Sequence, residues 1–208
     1  MNFIKYGIAQ KLALTLLFFA ITPQAFAEGF SITPFVGFRA SDSLEDEETG
    51  QTIDIDNSSS FGLILSMNID DDSAYELYFS RQETDLLPRT TEVVSENLGI
   101  RIDYIHIGGA VDYTVNNLHP FVTGGLGATL ISATDYDSST ETKFSLSVGG
   151  GLKVPITERI GLRFESRILG TNAGGGGGVL CSNGQCVGKL KGSVFLQFEA
   201  SLGLSIAF

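Results

Sequence analysis

The sequence predicts an all-β chain, an eight-stranded antiparallel up-and-down barrel that crosses a membrane with strands, and three observations carry that expectation. First, the run into the last residue alternates without a slip. Phe198, Ala200, Leu202, Leu204, Ile206 and Phe208 fall on one parity, and Gln197, Glu199, Ser201, Gly203, Ser205 and Ala207 on the other. That is the apolar-out, polar-in dyad of a lipid-facing strand. Second, the opposite end reads as a secretory leader. Lys5 and Lys11 supply positive charge, Leu12 to Ile21 is apolar, and Ala25-Phe26-Ala27 is a small-x-small site, so cleavage between Ala27 and Glu28 is expected. The apolar stretch is too short for the ~20 residues of a spanning helix. Third, every later apolar run is short and broken by Gly, Ser or charge, and such a chain can cross a bilayer only as a closed barrel. Residues 1–27 are thus read as leader and 28–208 as one barrel domain.

Eight strand-like segments follow in order, at 30–39, 60–69, 73–82, 100–115, 120–132, 142–155, 159–169 and 193–208. Most are close to the length a tilted strand needs to cross a bilayer, and an even number leaves both ends on one side. The joints near 70–72, 116–119 and 156–158 are tight turns of Asp, Asn, Pro and Thr, whereas 40–59, 83–99, 133–141 and 170–192 are long. Strict alternation of long with short connections matches outer loops and periplasmic turns, and it places both ends in the periplasm. A soluble eight-stranded barrel has no reason to segregate its connections this way.

Side-chain sorting agrees. In the second segment Phe61, Leu63, Leu65, Met67 and Ile69 oppose Gly62, Ser66 and Asn68, with Ile64 as an exception. In the sixth, Phe144, Leu146, Val148 and Leu152 oppose Ser145, Ser147, Gly149 and Lys153. In the seventh, Ile160, Leu162, Phe164 and Ile168 oppose Arg163, Glu165 and Arg167, charges that lipid would not tolerate. The fourth segment changes outward parity between Tyr104 and Ile105, which predicts either a bulge or an extension above the membrane. Trp is absent, so the interfacial aromatics are Phe and Tyr, among them Phe30, Tyr75, Tyr113 and Phe208.

An eight-stranded lumen is narrow and is filled by side chains, so inward charges must pair. The inward set is Glu76, Lys153, Arg163, Glu165, Arg167 and Glu199. Glu199 is expected to pair with Arg163 or Arg167 on the neighbouring strand. The bland reading is a polar plug, and the functional one is a gate whose ion pairs exchange partners.

Several stretches resemble the small outer-membrane β-barrel superfamily of Gram-negative bacteria, related to the OmpA transmembrane domain. They are Ile105-His106-Ile107-Gly108-Gly109-Ala110 leading to His119-Pro120-Phe121-Val122, then Gly124-Gly125-Leu126-Gly127-Ala128, Ser147 to Glu165, and Gln197-Phe198-Glu199-Ala200-Ser201. The resemblance implies residence in the bacterial outer membrane among its lipids and lipopolysaccharide. It also implies that the closing Phe208 is read by the barrel-assembly machinery.

Function is less legible. Removing residues 1–27 leaves 181 of the 208 residues and, because Lys5 and Lys11 are the only charges lost, moves the formal charge from -11 to -13. The few remaining cations are scattered, which argues against nucleic acid as a partner. Cys181 and Cys186 frame a short Gly-rich loop segment with no His nearby; a disulfide is expected over a metal pair, because two thiols cannot complete zinc's four positions. Asp42, Glu45, Asp46, Glu47, Glu48, Asp54 and Asp56 make the first long loop acidic, yet their spacing fits no calcium loop. Gly174 to Gly178 reads as a flexible loop start, not a nucleotide site. No cofactor is expected. His106 lies mid-strand without a sequence-adjacent nucleophile and His119 in a turn. The expectation is a monomeric, non-enzymatic surface protein acting through its loops, with a narrow gated channel as the alternative and a lipid A-modifying enzyme as a second one.

Overall fold

In the computed structural model, residues 29–41, 44–46, 52–88, 98–115, 118–133, 140–172, 179–182, 185–191 and 194–208 are described. The strands are β1 (Phe30–Ser41), β2 (Leu44–Asp46), β3 (Thr52–Ile55), β4 (Ser58–Asn68), β5 (Ser73–Pro88), β6 (Leu98–Asp112), β7 (His119–Ala133), β8 (Glu141–Pro155), β9 (Ile160–Asn172), β10 (Val179–Ser182), β11 (Gln185–Lys191) and β12 (Val194–Ala207). Eight of them, β1, β4 to β9 and β12, form an antiparallel wall that closes on itself through the β5–β6 pairing. The first and last wall strands meet along the β1–β12 seam.

The four short strands carry the sheet beyond the wall at the end where the long connections lie. There β11 pairs with β2, β2 with β3, and β3 with β5. The opposite end is made of tight turns. At one, the amide of Ile69 donates to Ser73 O at 2.8 Å and Asp70 Oδ1 accepts from the amide of Asp72 at 3.0 Å. At another, Thr157 Oγ1 accepts from the amide of Ile160 at 3.0 Å. Short oxygen-bearing side chains of this kind satisfy turn amides that no ladder reaches. The start of β1 and the end of β12 lie here too. Phe208 N donates to Phe30 O at 3.0 Å, and their rings lie 6.5 Å apart.

The burial pattern is inverted relative to a water-soluble domain. Val36 is 65% exposed and Ile107 63%, while Arg39 is 0% and Arg163 2% exposed. Large apolar side chains facing outward over a closed wall, with polar ones inside, are what a hydrocarbon solvent selects. Phe61, Met67, Phe144, Leu146, Phe164, Ile168, Phe198 and Leu202 all face out, as their parity requires.

In β6 the structure selects between the two expectations. Its register against β5 runs unbroken from Ser73↔Val111 to Leu86↔Leu98, so there is no bulge. Ile100, Ile102, Tyr104 and His106 are all buried on one parity, while Ile105 and Ile107 are exposed on the other. What changes is the environment. Beyond Ile105 the outward positions become Asp103 and Arg101, while the inward Ile100, Ile102 and Tyr104 join a buried apolar plug with Phe35, Ile64, Tyr78, Leu169 and Phe195. The inward Ile64 belongs to that plug.

Two glycines explain how aromatic rings fit so narrow a bore. A Cβ at Gly62 would lie 2.5 Å from the Phe35 ring, and one at Gly151 would lie 2.9 Å from that of Phe121. Side-chain-free wall at these positions lets the rings lie against it.

Candidate functional site

The inward polar side chains assemble into two ion-pair clusters stacked along the lumen. The one nearer the loop end is built on the seam. Arg39 of β1 and Glu199 of β12 are register partners, and the guanidinium meets Oε2 of Glu199 through Nε at 3.1 Å and Nη2 at 2.7 Å. Tyr78 donates its hydroxyl to Oε1 of Glu199 at 2.5 Å and Ser80 donates to Oε2 at 2.9 Å. Arg39 also bonds Ser80 Oγ and lies over the Tyr104 ring, 4.9 Å from its centroid. Above this pair Gln197 bridges Gln82 Oε1 at 3.1 Å and Tyr104 Oη at 2.8 Å, and Thr171 links Tyr104 to Thr129.

The second cluster holds two arginines and two glutamates. Arg163 forks onto Glu76, with Nη1–Oε1 2.6 Å and Nη2–Oε2 3.2 Å, and gives Nε to Glu165 at 2.8 Å. Arg167 gives Nε to Glu165 Oε1 at 2.7 Å, and its Nη2 lies 2.5 Å from the same oxygen as an ion pair without hydrogen-bond alignment. Thr123 donates to Glu76 at 3.0 Å, and Arg167 Nη1 donates to Ser147 Oγ at 3.1 Å. Aromatic faces cover the cations: Arg163 lies 4.2 Å from the Phe121 centroid and Arg167 4.2 Å from that of Tyr78. Each cluster is neutral as a set, the condition under which desolvated charge is tolerable.

His106 lies between the clusters. Its Nδ1 is 3.0 Å from Ser147 Oγ and its Nε2 2.8 Å from Ser145 Oγ, and its ring stacks on Tyr78 at 5.9 Å and meets the edge of Tyr104 at 5.5 Å. Linear sequence offered this histidine no adjacent serine; β8, the strand beyond its neighbour β7, supplies two hydroxyls.

Several site residues sit differently from the sequence expectation. Glu199 does not pair with Arg163 or Arg167. It faces Arg167 across the β9–β12 ladder, but Arg167 is held by Glu165 two residues along its own strand, and Glu199 turns to Arg39. Lys153 stands apart from both clusters, part-exposed near the turn end, where it pairs with Asp112 at 2.7 Å and lies 5.2 Å from the Phe121 centroid. His119 lines an open cleft of about 260 Å³ at that end with Asp71, Asp112, Lys153 and Arg159. Arg39 and Asp112 were not anticipated; extending the inward parity of Thr33, Phe35 and Gly37 by one step reaches Arg39.

Cys181 and Cys186 are backbone partners in the β10–β11 hairpin. Among the described residues no group of three or more His, Cys, Asp and Glu could hold a metal ion. Ala27, Glu28, Asp42, Glu47, Glu48 and Gly174 to Gly178 lie outside the described residues.

A closed, inside-out antiparallel wall with a neutralised polar lumen defines an integral outer-membrane barrel. Residues 12–186 match the family model of the outer membrane protein beta-barrel domain, and the chain belongs to that family. No curated protein matches it in sequence. Among solved structures it is similar to Neisserial surface protein A, with 16% identity, a TM-score of 0.60 and coverage of 88% of this chain and 99% of that one. It is likewise similar to AlkL, at 15% identity and a TM-score of 0.58 over 90% and 93% of the two chains. OprG of Pseudomonas aeruginosa gives 13% identity and a TM-score of 0.54 over 89% and 99%. At such identities the likeness concerns the fold. The protein resides in the bacterial outer membrane.

Proposed function

We propose that this protein is a non-enzymatic surface barrel, closed by its own lumenal side chains, that acts through the segments at its loop end. The observation that carries the reading is the pair of neutral clusters. Arg39, Glu76, Arg163, Glu165, Arg167 and Glu199 are almost completely buried and paired within the two clusters, and the apolar plug that includes Tyr78, Tyr104 and Leu169 packs against them. A conducting path needs continuous wet space, which this packing replaces with side chains. In this reading the loop end faces outward and the turn end faces the periplasm, after removal of residues 1–27.

The alternative of a narrow gated channel is tested by planar-bilayer recording of the mature protein. No stable unitary steps are expected. Steps whose size changes on charge reversal at Arg163 or Glu199 would replace the closed barrel with the channel.

His106 with Ser145 and Ser147 is the observation that favours the enzymatic alternative, since a base within reach of a hydroxyl is the minimum for nucleophilic catalysis. Three features speak for a structural role instead. The ring is 1% exposed, both its nitrogens already face hydroxyls, and its ring neighbours are the aromatics Tyr78 and Tyr104, with no carboxylate orienting it. Phe208, exposed at the turn end, is the proposed assembly signal: its deletion should lower the yield of folded barrel in cells while purified folded material keeps its stability.

A further inference from the structure

The lipid-facing parity of the eight wall strands is uncharged except at one place. Among the described side chains, its only charges are Arg81 and Glu83 on β5 and Asp103 and Arg101 on β6. These strands are neighbours in the wall, with Arg81↔Asp103 and Glu83↔Arg101 directly opposed. The four residues therefore form a single panel on one side of the barrel. It begins immediately above Phe79 and Ile105, the apolar outward residues that adjoin it on the turn side of the two strands.

The panel has the geometry of a headgroup contact. Arg81 meets Asp103 through Nε at 2.7 Å and Nη2 at 2.8 Å, and lies 5.8 Å from the Phe79 centroid, so its stem is anchored to the wall. Arg101 is held more loosely, by one Nε contact of 3.2 Å to Glu83, and its side chain is 37% exposed. A guanidinium carries five N–H donors in a planar fork, and among the described residues these ion pairs occupy only part of what the two arginines offer. In a membrane barrel, an outward face just past the apolar belt stands where lipid headgroups meet water. Arginine's fork matches phosphate oxygens, and its weak hydration makes leaving water for an interface inexpensive.

We propose that this panel is a docking site for the phosphate groups of an outer-leaflet glycolipid, with Arg81 as the fixed donor and Arg101 as the donor that swings from Glu83 onto the ligand. The proposal rests on the reading that the loop end faces outward. Glu83 and Asp103 keep the panel neutral when no lipid is bound, so an unoccupied barrel does not present two uncompensated cations at the lipid boundary. The exposed Glu83 loses little when Arg101 leaves it, because pairs in solvent are weakly held.

The test uses the mature protein in phosphatidylcholine nanodiscs carrying bisphosphorylated lipid A or phosphatidylglycerol, with retained lipid counted by native mass spectrometry. Bisphosphorylated lipid A should be retained, and R81Q/R101Q should lower its retention about tenfold, the scale of one charge-assisted hydrogen bond. R159Q, at the turn end, should match the unaltered protein. Equal retention by R81Q/R101Q, or retention of phosphatidylglycerol as strong as that of lipid A, would overturn the site. If the double variant does not migrate as a folded barrel, R101Q alone should bind less and R81K/R101K should bind; the reverse order counts against the proposal. Both leaflets of the nanodisc carry the glycolipid, so the binding result does not depend on orientation. Protease accessibility of the long loops on intact cells tests orientation separately.

Discussion

Arg39 and Glu199 are separated by 160 residues in sequence and lie 2.7 Å apart across the seam where the first and last wall strands meet. The ladder hydrogen bonds of β1 and β12 join the wall; this pair lies buried in the lumen behind that seam. Glu199 has an arginine opposite it on each side, Arg39 on β1 and Arg167 on β9. The choice between them is made by Glu165, which engages Arg167 from the same strand and also Arg163.

Because Arg39 is fully buried, a single substitution of its partner should be costly. Glu199→Gln leaves the guanidinium without its countercharge, and a loss of about 3 to 5 kcal/mol is expected from breaking a buried pair. Replacing both residues by methionine should cost less than Glu199→Gln alone, since the desolvated charges leave together. Urea unfolding in lipid vesicles measures both. An unchanged midpoint for Glu199→Gln would mean that the pair is not confined as the packing indicates.

Much of the wall could be read from sequence because lipid imposes a strict period of two on every outward position. The run from Phe198 to Phe208 and the opposition of Ile160, Leu162 and Phe164 to Arg163 and Glu165 are direct consequences. The lumen was harder, for a physical reason. Which inward group meets which depends on the stagger of the strands around the barrel, and Glu199 has arginines on both neighbouring strands. The hydroxyls that meet His106 lie about 40 residues away on β8, a strand that does not adjoin β6 in the wall. The inversion at Tyr104 read as a parity change because apolar residues enter the lumen where the outward face turns polar.

The glycines divide into two kinds, and substitution should separate them. A Cβ at Gly151 would lie 1.9 Å from Phe164 O, and at Gly62 it would lie 2.1 Å from Phe79 O, whereas at Gly124 the nearest atom is 3.7 Å away. Gly151→Ala and Gly62→Ala should each destabilise the barrel by about 1 to 3 kcal/mol or prevent folding, as overpacking does. Gly124→Ala should stay within about 0.5 kcal/mol. The gel temperature at which the folded band converts to the unfolded one ranks the three.

For Cys181 and Cys186, opposite each other in the β10–β11 hairpin, we predict a disulfide in the secreted protein. Peptide mass spectrometry without reduction should find the two segments linked within one chain. The closed loop is short, so Cys181→Ser/Cys186→Ser should change unfolding of the wall by less than the ~3 kcal/mol that a 15-residue loop gives. Two free thiols, or a link between chains, would contradict the pairing.

Ser145 and Ser147 distinguish a structural His106 from a catalytic one. If His106 is a packing element, Ser147→Ala should cost more stability than Ser145→Ala. Ser147 Oγ serves His106 and also accepts from Arg167, so its removal strips a buried cation of an acceptor. Hydrogen bonds to charged groups contribute about 1.5 to 3 kcal/mol against about 1 for neutral ones. Ser145 serves His106 at 2.8 Å without touching the charge cluster in this way, so its loss should stay near the lower figure. A catalytic pair predicts a different pattern: one serine would abolish turnover with little change in stability. Comparing lipid A by mass spectrometry from cells expressing the unaltered protein and each serine variant, alongside unfolding of the purified barrels, separates the two. Identical lipid profiles with graded stability losses are expected. A lipid modification that disappears with either serine would make His106 a base and that serine its nucleophile.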